Sequence, residues 1–157
     1  MNSIQIDKQT LNDIFVQAKT EYPGEACGWI LKDAGGKLTY FPAENLQDKY
    51  HKLDPESYPR TVKDAFLMDS LKLNNAIEAA TSAGGELFSI VHSHIDCGAY
   101  FSEEDKLQMS LPDGSGPVFP ASNYLVVSVN KGEEGETAAF VFNPSTKDYD
   151  LVQVELV

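Results

Sequence analysis

Apolar residues near the start of the chain recur three and four positions apart, the spacing of one face of a helix. These residues are Leu11, Ile14, Phe15 and Ala18. Asp7 precedes the run and belongs to a residue type that caps helix starts. Pro23 and Gly24 follow it and are typical of a helix end. The pattern therefore predicts a first helix between Asp7 and Pro23.

Short apolar runs further along predict strands separated by turns. We expect a strand over residues 27–31, a turn at Gly35-Gly36 and a second strand over residues 38–41. The last third predicts three more strands, over residues 124–130, 138–143 and 150–157. A run over residues 87–91 has the length and apolarity of a strand buried on both faces.

Two further helices are expected between these strands. One begins at either Thr61 or Asp69 and ends at Ala83, before a Gly-Gly pair that stops helices. The other is brief and begins after Ser102. The resulting order predicts a mixed α/β (α+β) protein, with a single mixed central β-sheet flanked by helices. With no repeat or long linker, residues 1–157 are expected to form one domain.

Two segments lack periodicity and carry several prolines. Residues 47–60 and 111–122 are predicted to be loops, and loops of this length in compact domains are often functional.

Charge and composition narrow the function classes. Twelve basic and twenty-four acidic residues give a net charge of −12, which argues against binding nucleic acid or anionic lipid. No apolar run reaches the roughly 20 residues of a membrane helix, and the N-terminus lacks a secretory signal pattern. We therefore expect a cytoplasmic protein in which Cys27 and Cys97 stay reduced.

Candidate chemistry begins at His92-Ser93-His94. On an extended backbone, residues two apart share a face, so both imidazoles emerge together and suit one metal ion. The alternative is two polar residues where a strand meets solvent. Ser93 points to the opposite face and is expected to be structural.

Two acidic residues complete the candidate set. Ser102 and Asp105 have the spacing of a capping box, which would place Asp105 in the first turn of a helix facing the histidines. Two histidines and one aspartate leave an open coordination position, the pattern of catalytic zinc. Glu25 is a candidate base for water, although an acid after Pro-Gly is also typical of a solvated turn.

These residues resemble the JAMM or MPN-plus zinc metallopeptidases, whose signature is a distal Glu, then His-Ser/Thr-His, seven residues, Ser, two residues and Asp. This chain has His92-Ser93-His94, seven residues, Ser102, two residues and Asp105. Pro-x-Glu-x-Cys-Gly surrounds the candidate glutamate. The resemblance extends to Asn45, Phe66 and Asp69, and it is closest to the small single-domain bacterial branch.

The resemblance implies one zinc per chain, held by His92, His94 and Asp105. It also implies that Glu25 acts as general acid and base and that Ser102 donates a hydrogen bond to the oxyanion. The expected fold is the cytidine-deaminase-like JAMM/MPN architecture. Deaminase chemistry itself is not expected, because the His-x-Glu and Pro-Cys-x-x-Cys ligand set is missing.

By this resemblance, the expected function is that of a deubiquitinase-like peptidase or isopeptidase that cuts after the C-terminal tail of a ubiquitin-like protein. The activating and conjugating enzymes of that protein are expected as associated partners. Alternatives are processing of a sulfur-carrier or phage-tail protein, and an inactive MPN-type scaffold. The chain departs from the family at Ile95, where proline is usual, and this affects the expected shape of the loop that follows. Cys97 is soft enough to bind zinc but lies where the family has no ligand.

Overall fold

The computed structural model describes residues 3–157 and contains seven strands and four helices in that range. In chain order these are β1 (Ser3–Ile6), α1 (Lys8–Glu21), β2 (Cys27–Lys32), β3 (Leu38–Ala43), α2 (Gln47–Leu53), α3 (Ser70–Ser82), β4 (Glu86–Ile95), α4 (Glu103–Gln108), β5 (Asn123–Asn130), β6 (Glu133–Asn143) and β7 (Asp148–Leu156).

All seven strands form one sheet in the order β1-β7-β6-β5-β4-β2-β3. The β1–β7 and β4–β5 pairs are parallel, and the other pairs are antiparallel. The predicted single mixed sheet flanked by helices is confirmed. Strand β4 lies between β2 and β5, and its residues 89–94 are buried.

The alternation of side chains along β4 and β5 separates two apolar cores. Val91 and Leu125 face the core that includes helix α1, whereas Ile90 and Val126 face the core that includes Leu73 of α3. Successive strand residues point to opposite faces. His92 therefore shares the face of Ile90, and Ser93 shares the face of Val91.

The helix ends follow local chemistry. The Asp7 side chain accepts a hydrogen bond from the Thr10 N–H at 2.8 Å and caps α1, as predicted. Asp69 caps α3 by accepting from the N–H groups of Leu71 and Lys72. Of the two starts expected for the second helix, the structure has the later one, because residues 54–69 are irregular.

Two expectations are corrected. Part of the predicted loop over 47–60 is wrong, because Gln47–Leu53 forms helix α2. Only Gln47 of this helix is buried, so it has no apolar stripe that periodicity could reveal. Strand β1 was not predicted; four residues are too few for a clear alternation, and the strand is held by pairing with β7. Residues 111–122 are irregular, as expected.

Among the described residues, no helix combines the length and apolarity that crossing a bilayer requires.

Candidate metal centre

Strand β4 presents the two histidines on one face. The strand pairs with β2 at Cys27 and with β5 at Val126, so His92 is held between two neighbours and is 2% exposed. Its imidazole stacks on Phe66, with ring centroids 4.5 Å apart. His94 is also buried. A central strand thus fixes both side chains, as their spacing predicted.

The start of helix α4 supplies the aspartate. The Ser102 side chain accepts from the Asp105 N–H at 3.1 Å, while the Asp105 carboxylate accepts from the Ser102 N–H at 3.0 Å. This reciprocal arrangement is the capping box predicted from the sequence. It fixes the first turn of α4 and directs Asp105 towards β4.

The three side chains meet at one point. The Asp105 Oδ2 atom lies 3.1 Å from Nε2 of His92 and 3.1 Å from Nε2 of His94. One nitrogen or oxygen atom from each residue lies within 4.8 Å of the others, and all three residues are buried. The cluster can bind a metal ion.

The protonation of His92 and Asp105 suits metal binding. Burial lowers the pKa of His92 and favours the neutral imidazole that coordinates metals. Burial alone would raise the pKa of Asp105, but the two imidazoles and the Ser102 N–H outweigh it and hold that pKa well below its usual range. Asp105 is therefore ionised.

The orientation of His94 is set by its other ring nitrogen. Nδ1 lies 3.0 Å from the carbonyl oxygen of Gly98. In the neutral tautomer with its proton on Nδ1, that proton is donated to the carbonyl and the Nε2 lone pair points into the cluster, where Nε2 lies 3.1 Å from Asp105 Oδ2. A carbonyl partner of this kind orients many metal-binding histidines.

An unpartnered nitrogen provides a test of whether a metal fits. Nε2 of His92 is fully buried yet makes no hydrogen bond of adequate geometry, despite its proximity to Asp105. Buried polar atoms without partners are rare and costly. A metal ion bound by the two imidazoles and the carboxylate would satisfy this atom, so the donor set fits the group that the motif implies.

The backbone around Glu25 is held from three sides. The Glu25 N–H donates to the carbonyl of Val62 at 2.6 Å, and the Glu25 carbonyl accepts from the Asn45 side chain at 2.9 Å. The next N–H, of Ala26, donates to Ser93 Oγ at 2.7 Å. Ser93 thus ties this segment to the histidine strand, which is the structural role expected for it.

The side chain of Glu25 is, by contrast, without a partner. It is 6% exposed, and its Oε1 atom is buried and makes no hydrogen bond to the described residues. Burial raises its pKa from 4.5 to about 8. The solvated-turn interpretation of Glu25 is therefore wrong.

Asn45 organises this side of the site, a function that the sequence did not reveal. Its side-chain nitrogen donates to the carbonyls of Glu25 and Ala65, and its oxygen accepts from the N–H groups of Gln47 and Leu67. The sequence signals at this position are an asparagine two residues after strand β3 and the family resemblance that extends to it, and neither indicates these bonds. Three of these bonds join Asn45 to residues 20 or 22 positions away in the chain, and the fourth is to Gln47, two positions away.

A cleft of about 320 Å³ opens over the cluster. Its lining includes Glu25, His94, Ser102 and Asp105, together with the basic side chains of Arg60 and Lys63. A second cleft, of about 350 Å³, adjoins it and shares Arg60 and Asp105. The two clefts together form a groove along the start of α4.

The Ser102 hydroxyl can cap helix α4 and donate a hydrogen bond into the cleft at the same time. Its oxygen accepts from the Asp105 N–H, but a hydroxyl has one hydrogen to donate as well as two lone pairs. The hydrogen remains available to a group in the cleft. Cap and hydrogen-bond donor are therefore compatible.

Cys97 lines the same cleft but is outside the ligand cluster formed by the two histidines and Asp105. The other cysteine, Cys27, is buried in the sheet, and both thiols are free. A larger cavity, of about 540 Å³, is lined by β1 and by Lys32, Leu38 and Phe88, and includes none of the residues of the cluster. It contains no group of metal-binding side chains, so size does not identify the functional site.

The comparison with protein families matches residues 7–148 to the family described as prokaryotic homologs of the JAB domain. This match includes every residue of the candidate site.

Solved structures share the fold. A protein from Desulfitobacterium hafniense has a TM-score of 0.67 at 20% identity, covering 98% of this chain and 92% of that one. A Salinibacter ruber protein has a TM-score of 0.60 at 21% identity, covering 100% and 92%. A JAB1/MPN domain protein from Archaeoglobus fulgidus has a TM-score of 0.52 at 18% identity, covering both chains fully (100% each). The JAB1/MPN fold expected from the motif is confirmed.

One relative has a described role. The tail tip assembly protein K of Escherichia phage N15 is 31% identical over 104 residues. The aligned region is 64% of this chain and 34% of the phage protein, so the chain spans about a third of that relative's length.

Proposed function

The chain belongs to the prokaryotic homologs of the JAB domain, and from this premise we propose that it is a zinc-dependent peptidase. In this proposal His92, His94 and Asp105 hold one zinc ion, and Glu25 and Ser102 assist the hydrolysis. The family includes proteins with a peptidase role and proteins with a binding role. The site residues favour the peptidase.

One observation carries the proposal: a buried carboxylate without a partner lies in the same cleft as the metal-binding cluster. The Oε1 atom of Glu25 has no hydrogen-bond partner among the described residues, although the Glu25 backbone makes two hydrogen bonds and the adjacent N–H of Ala26 makes a third. If the chain served only as a scaffold, an apolar residue at position 25 would make it more stable, because a buried carboxylate is costly to ionise. A base for water explains why it is present.

Zinc bound by the three side chains would supply a Lewis acid that polarises the scissile carbonyl and makes water nucleophilic near neutral pH. The Glu25 carboxylate accepts the proton of the attacking water. It then returns that proton to the leaving amine, so that the C–N bond breaks with the charge balanced. The hydroxyl of Ser102 donates to the carbonyl oxygen as negative charge develops on it.

The test of this function uses the purified chain and a ubiquitin-like protein fused to a reporter. Chelation should abolish cleavage, and added zinc should restore it. Cleavage that persists after complete metal removal would exclude the zinc mechanism. Failure to cut any fusion while one zinc is bound would favour a binding role.

For the substrate, we propose the extended C-terminal tail of a ubiquitin-like protein, as a fusion or a conjugate made by associated activating and conjugating enzymes. The groove along α4 is walled by residues of the 54–69 segment, including Tyr58 and Pro59, and by Leu107 of α4. A groove open at the surface admits an extended chain, and backbone contacts give affinity with little sequence preference. Steric exclusion then favours small residues beside the cut.

Three fusions that end in Gly-Gly, Gly-Val and Val-Val before the reporter test the narrow groove. We expect the Gly-Gly fusion to be cut fastest and the Val-Val fusion slowest. Equal rates would exclude steric selection and leave the zinc chemistry unaffected.

Processing of a phage tail protein is a second candidate, favoured by the identity shared with the tail tip assembly protein K. The two candidates use the same chemistry and differ in the protein that enters the groove. Incubation of the chain with tail tip proteins of phage N15 and, separately, with the ubiquitin-like fusion distinguishes them by which one is cleaved.

A further inference from the structure

Asp96 lies in the bend that follows β4 and is held from three directions. Its carboxylate accepts from the Tyr22 hydroxyl, with distances of 3.0 and 2.9 Å to the two oxygens, and from the Lys131 N–H at 2.7 Å. Its own N–H donates to the carbonyl of Val129 at 2.9 Å. The backbone is left-handed, with φ of 54°, a conformation that aspartate and asparagine tolerate better than most residues.

The three partners of Asp96 belong to separate parts of the fold. Tyr22 is the C-cap of α1 and lies three residues before Glu25. Val129 is the penultimate residue of β5, and Lys131 lies in the tight turn between β5 and β6. The bend after the histidine strand is therefore tied both to the segment that carries the proposed base and to the rigid sheet.

The same bend orients a metal ligand. Two residues after Asp96, the carbonyl of Gly98 lies 3.0 Å from Nδ1 of His94 and sets which ring nitrogen faces the cluster. A shift of this carbonyl would rotate the imidazole or change its tautomer. Proline is usual after the second histidine in proteins with this motif, and it would restrict the bend by itself. This chain has Ile95, so the restriction must come from elsewhere.

We propose that Asp96 is a positioning residue for the metal centre, acting through the Gly98 carbonyl on His94, with Tyr22 as its anchor on the Glu25 side. The inference rests on the proposed metal site and adds residues that the motif does not contain. Asp96 and Tyr22 touch neither the ligand atoms nor the groove floor. Their effect is on the geometry of His94.

A turn-stabilising aspartate elsewhere provides a matched control. Asp33 accepts from the Lys37 N–H at 2.8 Å and closes the β2–β3 turn, far from the cluster. Asp33→Ala and Asp96→Ala each remove an exposed carboxylate that accepts a backbone N–H. A merely structural role for Asp96 would make the two variants behave alike.

The experiment measures the zinc dissociation constant by competition with a chromophoric chelator, and the thermal midpoint of each metal-free protein. Asp96→Ala should weaken zinc binding about 10-fold or more, the usual effect of losing a group that orients a ligand. Tyr22→Phe should weaken it less. Asp33→Ala should leave the zinc affinity unchanged, although its thermal midpoint should fall by a comparable amount.

Asp96→Asn keeps an acceptor for the Lys131 N–H and the preference for a left-handed backbone, so it should restore most of the affinity. Tyr22→Phe combined with Asp96→Ala should be no worse than Asp96→Ala alone, because the tyrosine acts through the carboxylate.

If Asp96→Ala and Tyr22→Phe bind zinc as tightly as the wild type, the positioning role is overturned and the proposed function is unaffected. The same holds if affinity falls equally in Asp33→Ala. A wild-type protein that binds no zinc would overturn the metal site itself, and the positioning role with it. Should Asp96→Ala fail to fold, Tyr22→Phe and Asp96→Asn carry the same comparison.

Discussion

The two sides of the cleft, the ligand cluster and Glu25, differ in how their polar side chains are partnered. On the metal-binding side, the donor atoms contact one another, with Asp105 Oδ2 at 3.1 Å from each imidazole. On the other side, Glu25 is just as buried but its Oε1 atom has no partner. The first side is a cluster ready to hold a cation. On the second side, backbone hydrogen bonds fix the position of Glu25, while its carboxylate Oε1 makes no hydrogen bond to the described residues.

The difference shows how each side is specified. On the ligand side, two local devices, the alternation of a strand and a capping box, bring the three side chains together, and the carbonyl of Gly98 orients His94. The Glu25 side depends on hydrogen bonds to Asn45, Val62 and Ser93, none of them near it in the chain. We therefore expect substitutions on the first side to act on metal binding, and those of Glu25 to act on turnover and not on zinc content.

The largest expected effect is on the ligand side. His94→Ala removes one of three ligands, so the variant should lose both zinc and activity. His51→Ala is the matched control, because His51 lies outside the cluster and its ring contacts the carbonyl of Tyr58. Elemental analysis of both purified variants checks the prediction. Full zinc occupancy in His94→Ala would refute the ligand assignment.

On the opposite side, Glu25→Gln should separate chemistry from metal binding. The amide retains the size of the side chain but cannot accept a proton, so turnover should fall by at least roughly 10²-fold. Zinc content should be unchanged. Glu104→Gln is the control, since Glu104 lines the same cleft but is exposed and paired with Arg60. A Glu25→Gln enzyme with the wild-type rate would mean that another group takes the proton.

The contrast also explains what sequence could and could not predict. The positions of His92, His94 and Asp105 follow from spacing, because periodicity and capping are local. The sheet was predicted apart from β1. The four bonds of Asn45 were not foreseeable from pattern, because they join segments that only the folded chain brings together.

Helix α2 was missed for a related physical reason. Its exposed residues include Tyr50 and Leu53, and it buries only Gln47, so no apolar face marks it in the sequence. Tyr50 instead packs against Tyr58 beyond the helix, with ring centroids 5.0 Å apart. A short helix held by contacts with the following irregular segment has the sequence pattern of a loop.

A smaller effect concerns stability in the metal-free protein. Burial raises the pKa of Glu25 from 4.5 to about 8, so between these values the folded chain binds a proton that the unfolded chain has released. Stability due to this group is therefore present at low pH and is lost as pH rises towards 8. Glu25→Gln has no such loss.

Urea unfolding of both metal-free proteins at pH 5 and pH 8 measures this difference. The free energy of unfolding of Glu25→Gln relative to wild type should increase with pH, by on the order of a few kcal/mol. A difference independent of pH would mean that the carboxylate is solvated in the folded protein.

The smallest expected effect is at Cys97. This thiol lines the cleft but is not one of the three clustered ligands, so Cys97→Ser should keep its zinc and most of its activity. Activity and zinc content are measured together. A loss of metal as large as in His94→Ala would make Cys97 a ligand and remove the open coordination position.

The most direct measurement is the location of the metal in crystals of the wild-type protein, by anomalous diffraction at the zinc edge. We expect one peak per chain, about 2.0–2.2 Å from Nε2 of His92, Nε2 of His94 and a carboxylate oxygen of Asp105. The Glu25 carboxylate should face this peak without coordinating it. A peak bonded to Glu25 or Cys97 in place of one of the three ligands, or no peak at the cluster, would rule out the division of the cleft into a metal-holding side and a proton-transferring side.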